Sequence, residues 1–167
     1  MDTDSAGFAD FYRAARDDCL RAVFASVGDR QAAEDLVAEA FARAWADWRK
    51  VRRHPAPRAW IVRTALNTRV SWWRRARREV PLPEQEADVA GDGSLDGAVD
   101  RELITALLRL PVRQRQVVAL RLFLDLDTAA TAETLGIAPG TVTAHLARAI
   151  AALREELSPA PCEESRQ

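Results

Sequence analysis

The chain has 167 residues, 48% hydrophobic and 29% charged, with 24 basic side chains against 25 acidic ones. That length suits one ordinary domain or two small ones; no apolar run approaches a membrane span, and the acidic start "MDTDSAGFADF" has no signal-peptide core. Cys19 and Cys162 are far apart with no CxxC or Cys/His cluster, which argues against a disulfide framework or a zinc site and suits a reducing, cytoplasmic setting.

Gly (7) and Pro (8) are scarce and helix formers dominate, so the chain reads as all-α. A first helix is expected from Phe8 to Val27, using Phe11, Ala15, Leu20, Val23 and Phe24. In "QAAEDLVAEAFARAWADWRK" the positions Leu36, Val37, Ala40, Phe41, Ala44, Trp45 and Trp48 advance by three or four, making one apolar stripe. Asp29 is placed to cap this second helix, and Glu34 and Asp35 lie in early turns, where negative charge suits the dipole. After the breaker "HPAPRAW", a third helix runs from about Arg58 to Arg77, with Trp60, Ile61, Thr64, Ala65, Thr68 and Trp72 along one side. Three such helices can bundle into a small N-terminal domain, residues 8–78.

Charge is unevenly placed along these elements. Residues 1–42 sum to −5, residues 43–78 to +11 and residues 79–102 to −7, while the remainder balances. The near-neutral total therefore hides a cationic block beside an anionic one, as expected for a polyanion partner or for a solvated helical face balanced by its neighbour. In the third helix Trp60, Trp72 and Trp73 sit among Arg58, Arg63, Arg69, Arg74, Arg75, Arg77 and Arg78. Arg neutralises phosphates, indole faces stack unpaired bases, and Asn67 among them can hydrogen-bond a base edge. Trp60 reads as a core anchor. Trp72 and Trp73 point about 100° apart on a helix, so at least one should approach the surface. Residues 79–98, "EVPLPEQEADVAGDGSLDGA", hold prolines, glycines and many acids and read as a flexible, self-repelling linker. Such a linker could lie against the basic helix and mask it.

A second small helical domain is expected over 99–157. "AVDRELITALLRL" is amphipathic through Val99, Leu103, Ile104, Leu107 and Leu110, and Pro111 suits the first position of the next helix, "PVRQRQVVALRLFL". Residues 127–135 and roughly 139–157, joined by a turn containing Gly136, fit a helix-turn-helix. Asp127 can cap its first helix, which would brace the second through Ala129, Ala132 and Leu135. The second would bury Val142, Leu146 and Ile150 and turn Thr141, Thr143, Ala144, His145, Ala147 and Arg148 outward or to the flanks, within reach of base edges and phosphates. A purely structural Ala-rich hairpin would share this pattern. The tail, 158–167, reads as disordered. No HExxH, GxSxG, Walker A or GxGxxG is present, and nothing joins a nucleophile to a base. No catalysis, cofactor, metal or small-molecule substrate is expected.

Three segments in order carry a family resemblance over about residues 8–157. The chain resembles the extracytoplasmic-function (ECF, group IV) sigma factors of bacterial RNA polymerase, whose helical regions 2 and 4 are joined by a linker. "GDRQAAEDLVAEAFARAWADW" is similar to the helix that docks on core polymerase; on that resemblance Asp35, Leu36, Glu39, Phe41 and Trp45 bind core, with Ala38 where the family usually has Gln. "PRAWIVRTALNTRVSWWRRARR" is similar to the helix that melts and reads the −10 element, implying DNA contacts by Arg63, Asn67, Thr68, Arg69, Trp72, Trp73, Arg74 and Arg75, with Asn67 and Thr68 capturing an extruded base. The segment from Leu107 to Arg154 is similar to region 4, which reads the −35 element, implying contacts by Arg121, Thr141, Thr143, His145 and Arg148. Thr143 and Ala144 stand where the family is often basic or more polar, and Thr128 and Thr131 where it is often larger and apolar, which implies weaker or differently specified −35 binding. The resemblance further implies core RNA polymerase and promoter DNA as partners, with an anti-sigma factor as a third. A stand-alone helix-turn-helix regulator is the competing expectation; it would need no basic, Trp-rich helix upstream.

Overall fold

Helix α1 (Thr3–Val27) begins ahead of Phe8, and Asp4 in its first turn is held by Arg49 and Arg52 from beyond the next helix. Gly28 closes α1 at φ +78°, and its N–H donates to the Phe24 carbonyl at 2.8 Å. Helix α2 (Arg30–Ala46) is capped by Asp29, whose carboxylate accepts from the Ala32 N–H at 2.8 Å. The apolar stripe does not foretell a break at Asp47: the chain restarts as a short α3 (Trp48–Val51) that tucks Trp48 and Val51 into the core. His54 Nδ1 accepts from the Ala56 N–H at 3.0 Å and shapes the entry into α4 (Pro57–Glu79). The computed structural model describes residues 3–79 and 101–158, with side chains over 4–71 and 101–158. The linker beyond Glu79 and the tail beyond Ser158, including Cys162, lie outside the described residues.

The N-terminal core interleaves Ala15, Cys19 and Val23 of α1 with Leu36, Val37, Ala40 and Phe41 of α2 and Ile61, Val62 and Ala65 of α4. Trp60 is half-buried and packs against this core, as a core anchor should. Aromatic rings close one end: Phe11 stacks on Trp48 with centroids 5.3 Å apart, and Tyr12 meets Phe41 edge-on at 4.8 Å.

In the C-terminal half, helix α5 (Arg101–Arg109) leads through Pro111 into α6 (Val112–Val118). Pro111 is the extended residue just before α6 (φ −54°, ψ 145°), not its first turn. The single helix expected for "PVRQRQVVALRLFL" instead widens into a π-turn over Ala119–Phe123, closed by the Leu124 N–H donating to the Ala119 carbonyl at 3.3 Å. The wider turn lets Ala119, Leu120 and Leu124 all point inward. Helix α7 (Thr128–Leu135) is capped by Asp127 at 2.7 Å from the Ala130 N–H and ends at Gly136, φ +65°. Helix α8 (Pro139–Leu157) completes the helix-turn-helix. Val142 is fully buried against Val117 and Ala132, while Ala129 faces solvent and does not brace the second helix.

The two halves also pack on each other. Ala119, Leu120 and Leu124 complete the N-terminal core, and Ala25 of α1 enters the cluster formed by Ile104, Leu107, Leu110, Val118 and Ala149. Gly28 abuts Leu108 so closely that a Cβ there would lie 2.4 Å from Leu108 Cδ1.

Candidate nucleic-acid interface

Helix α4 presents Arg63 and Asn67 on one exposed side, whereas Arg69, about 200° round the helix from Asn67, turns its guanidinium in toward the end of α1. Thr68 is different: it is 3% exposed, its hydroxyl donates to the Thr64 carbonyl at 2.8 Å and accepts from Arg43 Nη1 at 3.1 Å. Both capacities of the hydroxyl are used inside the protein, so Thr68 does not face a base in this arrangement; it anchors α4 to α2. Arg43 is in turn held by Glu39 at 2.9 Å. The chain Glu39–Arg43–Thr68 thus ties the outer face of α2 to the residue next to Asn67. The side chains of Trp72, Trp73, Arg74 and Arg75 lie outside the described residues.

Two guanidiniums converge on the end of α1. The Ser26 carbonyl accepts from Arg115 Nη1 at 2.9 Å and from Arg69 Nη1 at 3.4 Å, and Arg115 Nη2 reaches the Leu110 carbonyl at 3.2 Å. Arg115 Nε is buried and makes no hydrogen bond. Burial pulls both guanidiniums below their ordinary pKa, Arg69 offset by nearby Asp29 and Arg115 pulled further by Arg69 itself. Beside this pair, Arg63, Leu66 and Asn67 face Arg113, Gln116 and Leu135 across a cleft of about 100 Å³.

On α8, Thr141, Thr143 and Arg148 are exposed, with the Thr143 hydroxyl donating to the Pro139 carbonyl at 3.2 Å. His145 is half-buried, and its Nδ1 is buried without a hydrogen-bond partner. Arg121 departs from the expectation of a DNA contact: its Nη1 is bound to the Leu126 carbonyl and its Nε is buried, so it closes the loop after the π-turn.

On α2, Leu36 (1% exposed) and Phe41 (3%) belong to the core rather than to a docking surface. Both lie on the buried stripe that holds α2 against α1. Asp35 and Trp45 are exposed and Glu39 half-exposed. Trp45 leans on Phe8 with centroids 5.0 Å apart. A cleft of about 230 Å³ opens between α1 and α2, where Tyr12 and Arg16 stand opposite Asp35 and Ala38. Tyr12 and Arg16 were not singled out from sequence, although their i,i+4 spacing on α1 puts them on one outer face. Among the described residues no His, Cys, Asp or Glu cluster could hold a metal ion, and no helix is long and apolar enough to cross a membrane.

Comparison with known proteins agrees with this layout. The sigma-70 region 2 profile matches residues 11–79 and the sigma-70 region 4 profile residues 100–153. The chain is 36% identical over 151 residues to the RNA polymerase sigma-E factor of Streptomyces avermitilis, covering 90% of this chain and 84% of that one. It is 35% identical over 133 residues to the ECF RNA polymerase sigma factor SigL of Mycobacterium tuberculosis, covering 76% and 75%. In fold it is similar to the sigma factor RpoE, solved with the anti-sigma factor NepR from Bartonella quintana, at a TM-score of 0.73 and 24% identity over 90% of this chain and 96% of that one. Two region profiles in order, on a chain with this basic helix and helix-turn-helix, set the stand-alone regulator aside: the chain belongs to the sigma-70 family of RNA polymerase sigma factors, in its ECF branch.

Proposed function

We propose that this sigma factor divides promoter reading between two exposed helix faces. Arg63 and Asn67 on α4, together with the Trp72–Arg75 segment, take the melted −10 strand; Thr141, Thr143, His145 and Arg148 on α8 take the −35 duplex. Core polymerase docks on Asp35, Glu39 and Trp45, with the cleft bounded by Tyr12 and Arg16 receiving its apolar contacts. The protein has no chemistry of its own and works in the cytoplasm, where polymerase is. An anti-sigma factor would compete for these same surfaces; the sigma factor RpoE, similar in fold, is solved in complex with one, NepR.

The observation that carries this reading is the split on α4: Asn67 is exposed among cations while its neighbour Thr68 is turned in and tied down. A melted strand offers Watson–Crick edges, and an amide on an anchored helix can read one, offsetting part of the cost of unpairing and unstacking the base. Run-off transcription with core enzyme on a promoter library tests it. Asn67→Ala is expected to lower promoter-dependent transcript at least tenfold while core binding, measured by co-purification, stays at the parent level. Equal transcript from parent and variant would overturn the −10 assignment.

A further inference from the structure

We infer that the turn made by α3 and the residues leading into α4 is a second single-strand contact, holding backbone phosphates of DNA that leaves the −10 site. The inference rests on the assignment of Arg63 and Asn67 to the melted −10 strand. Within the +11 block, Arg49, Lys50, Arg52 and Arg53 have no part in that assignment, and Asp47 is the block's single acid. Packing decides where these cations point. Trp48 and Val51 are buried, so on so short a helix the residues between and after them turn outward, and all four are exposed. The turn itself is held in place. The Arg53 N–H donates to the Lys50 carbonyl at 3.2 Å, the His54 N–H to the Val51 carbonyl at 3.0 Å, and Ala56 packs against the N-terminal core. Arg49 and Arg52 lean on Asp4, whereas Lys50 and Arg53 have no ion pair among the described residues.

Exposed cations alone would suit any acidic partner; their position favours DNA. Trp60 lies seven residues before Asn67 and within about 20° of it around α4, with Arg63 between them in sequence. This side of the helix therefore leads from Asn67 to Pro57 and the turn, a rise of about 15 Å. A stacked strand carries one phosphate per about 3.4 Å, so about four nucleotides cover that distance and the next phosphates come within reach of Lys50 and Arg53. The other end of α4 continues into the linker to the half that takes the −35 duplex. Duplex therefore lies at that end, and the melted strand runs toward α3. Such a contact carries no base preference. It adds affinity to a strand already captured, and only when the strand is long enough to arrive.

The test uses holoenzyme reconstituted with core polymerase and a fluorescein-labelled fork DNA, its non-template overhang ending two or eight nucleotides beyond the −10 element. Holoenzymes carrying the parent and the double variant Lys50→Ala, Arg53→Ala should bind the short overhang equally. On the long overhang the variant should bind at least fivefold more weakly. Its log–log salt dependence there should be shallower by about 1.4, the share of two single-strand phosphate contacts. The pair Lys50→Arg, Arg53→Lys keeps both charges and should match the parent on both overhangs. Equal affinity of parent and alanine variant for the long overhang overturns the contact, as does an equal loss on both overhangs. Loss of the alanine variant from core polymerase in co-purification also overturns it, and gives the turn to the protein partner instead. Asn67→Ala separates the two readings, since it should weaken both overhangs. If it weakens neither while the alanine variant still loses the long one, the −10 assignment of Asn67 falls and the phosphate contact stands.

Discussion

Cys19 illustrates how position decides chemistry at a single residue. It is fully buried between α1 and α4, its Sγ 3.7 Å from the Arg58 carbonyl, and burial pushes its thiol up to about 12 from 9.0. Because the thiolate is the nucleophile, the folded protein should leave Cys19 unlabelled by iodoacetamide at pH 8, with labelling at the parent peptide only after unfolding; mass spectrometry of the Cys19 peptide reads this. Since the folded pKa lies above the unfolded one for an acid, the linked stability is complete below pH 9 and is lost as pH rises toward 12. Labelling of the folded chain at the unfolded rate would contradict the burial. Thr68 teaches a related lesson. Helical periodicity puts it on the apolar side of α4 with Ile61 and Ala65, whereas the family resemblance puts it at a base. Packing follows the periodicity, because a Thr hydroxyl can be satisfied internally by the carbonyl four residues back. Leu36 and Phe41 went the same way: the stripe that makes α2 a helix also buries them.

Among the elements, those with local signals were legible. Asp29 and Asp127 cap α2 and α7, and Gly136 ends α7, because caps and left-handed turns are written in adjacent residues. The break at Asp47 and the π-turn at Ala119–Phe123 were not, because both answer to packing: one lets Trp48 fold under, the other turns Ala119 and Leu120 into a core built mainly by the other half. The cap on α7 has a functional consequence, since α7 sets the angle at which α8 is presented. Asp127→Ala should cost about 1 kcal/mol, read from urea unfolding, and should weaken binding of −35 duplex DNA by severalfold while leaving single-strand binding by α4 alone. Equal loss of both activities would place Asp127 in general stability rather than in the helix-turn-helix.

At the scale of the molecule, the net charge of −1 says little and its distribution says much: the +11 block falls on the last turn of α2, on α3 and α4, and on the turns between them. The acidic linker that could screen this block lies outside the described residues; within them, α6 and α7 form the far side of the small cleft beside Asn67. That arrangement was invisible in the sequence because its contacts join residues such as Ser26 and Arg115, 89 positions apart, with no local period to announce them. A core that crosses the joint also predicts how the chain unfolds. Ala119, Leu120 and Leu124 belong to the N-terminal core and Ala25 to the C-terminal cluster, so neither half can melt without exposing apolar surface of the other. Calorimetry of the parent should therefore show one transition with equal calorimetric and van't Hoff enthalpies. Leu108→Ala removes a half-buried side chain that packs against Gly28 at the joint, a change worth about 2 kcal/mol at the low end of such substitutions. It should broaden that transition or divide it in two while the helical signal before melting stays unchanged. Two separate transitions in the parent would mean that the halves merely touch, and would remove the energetic basis for coupling between them.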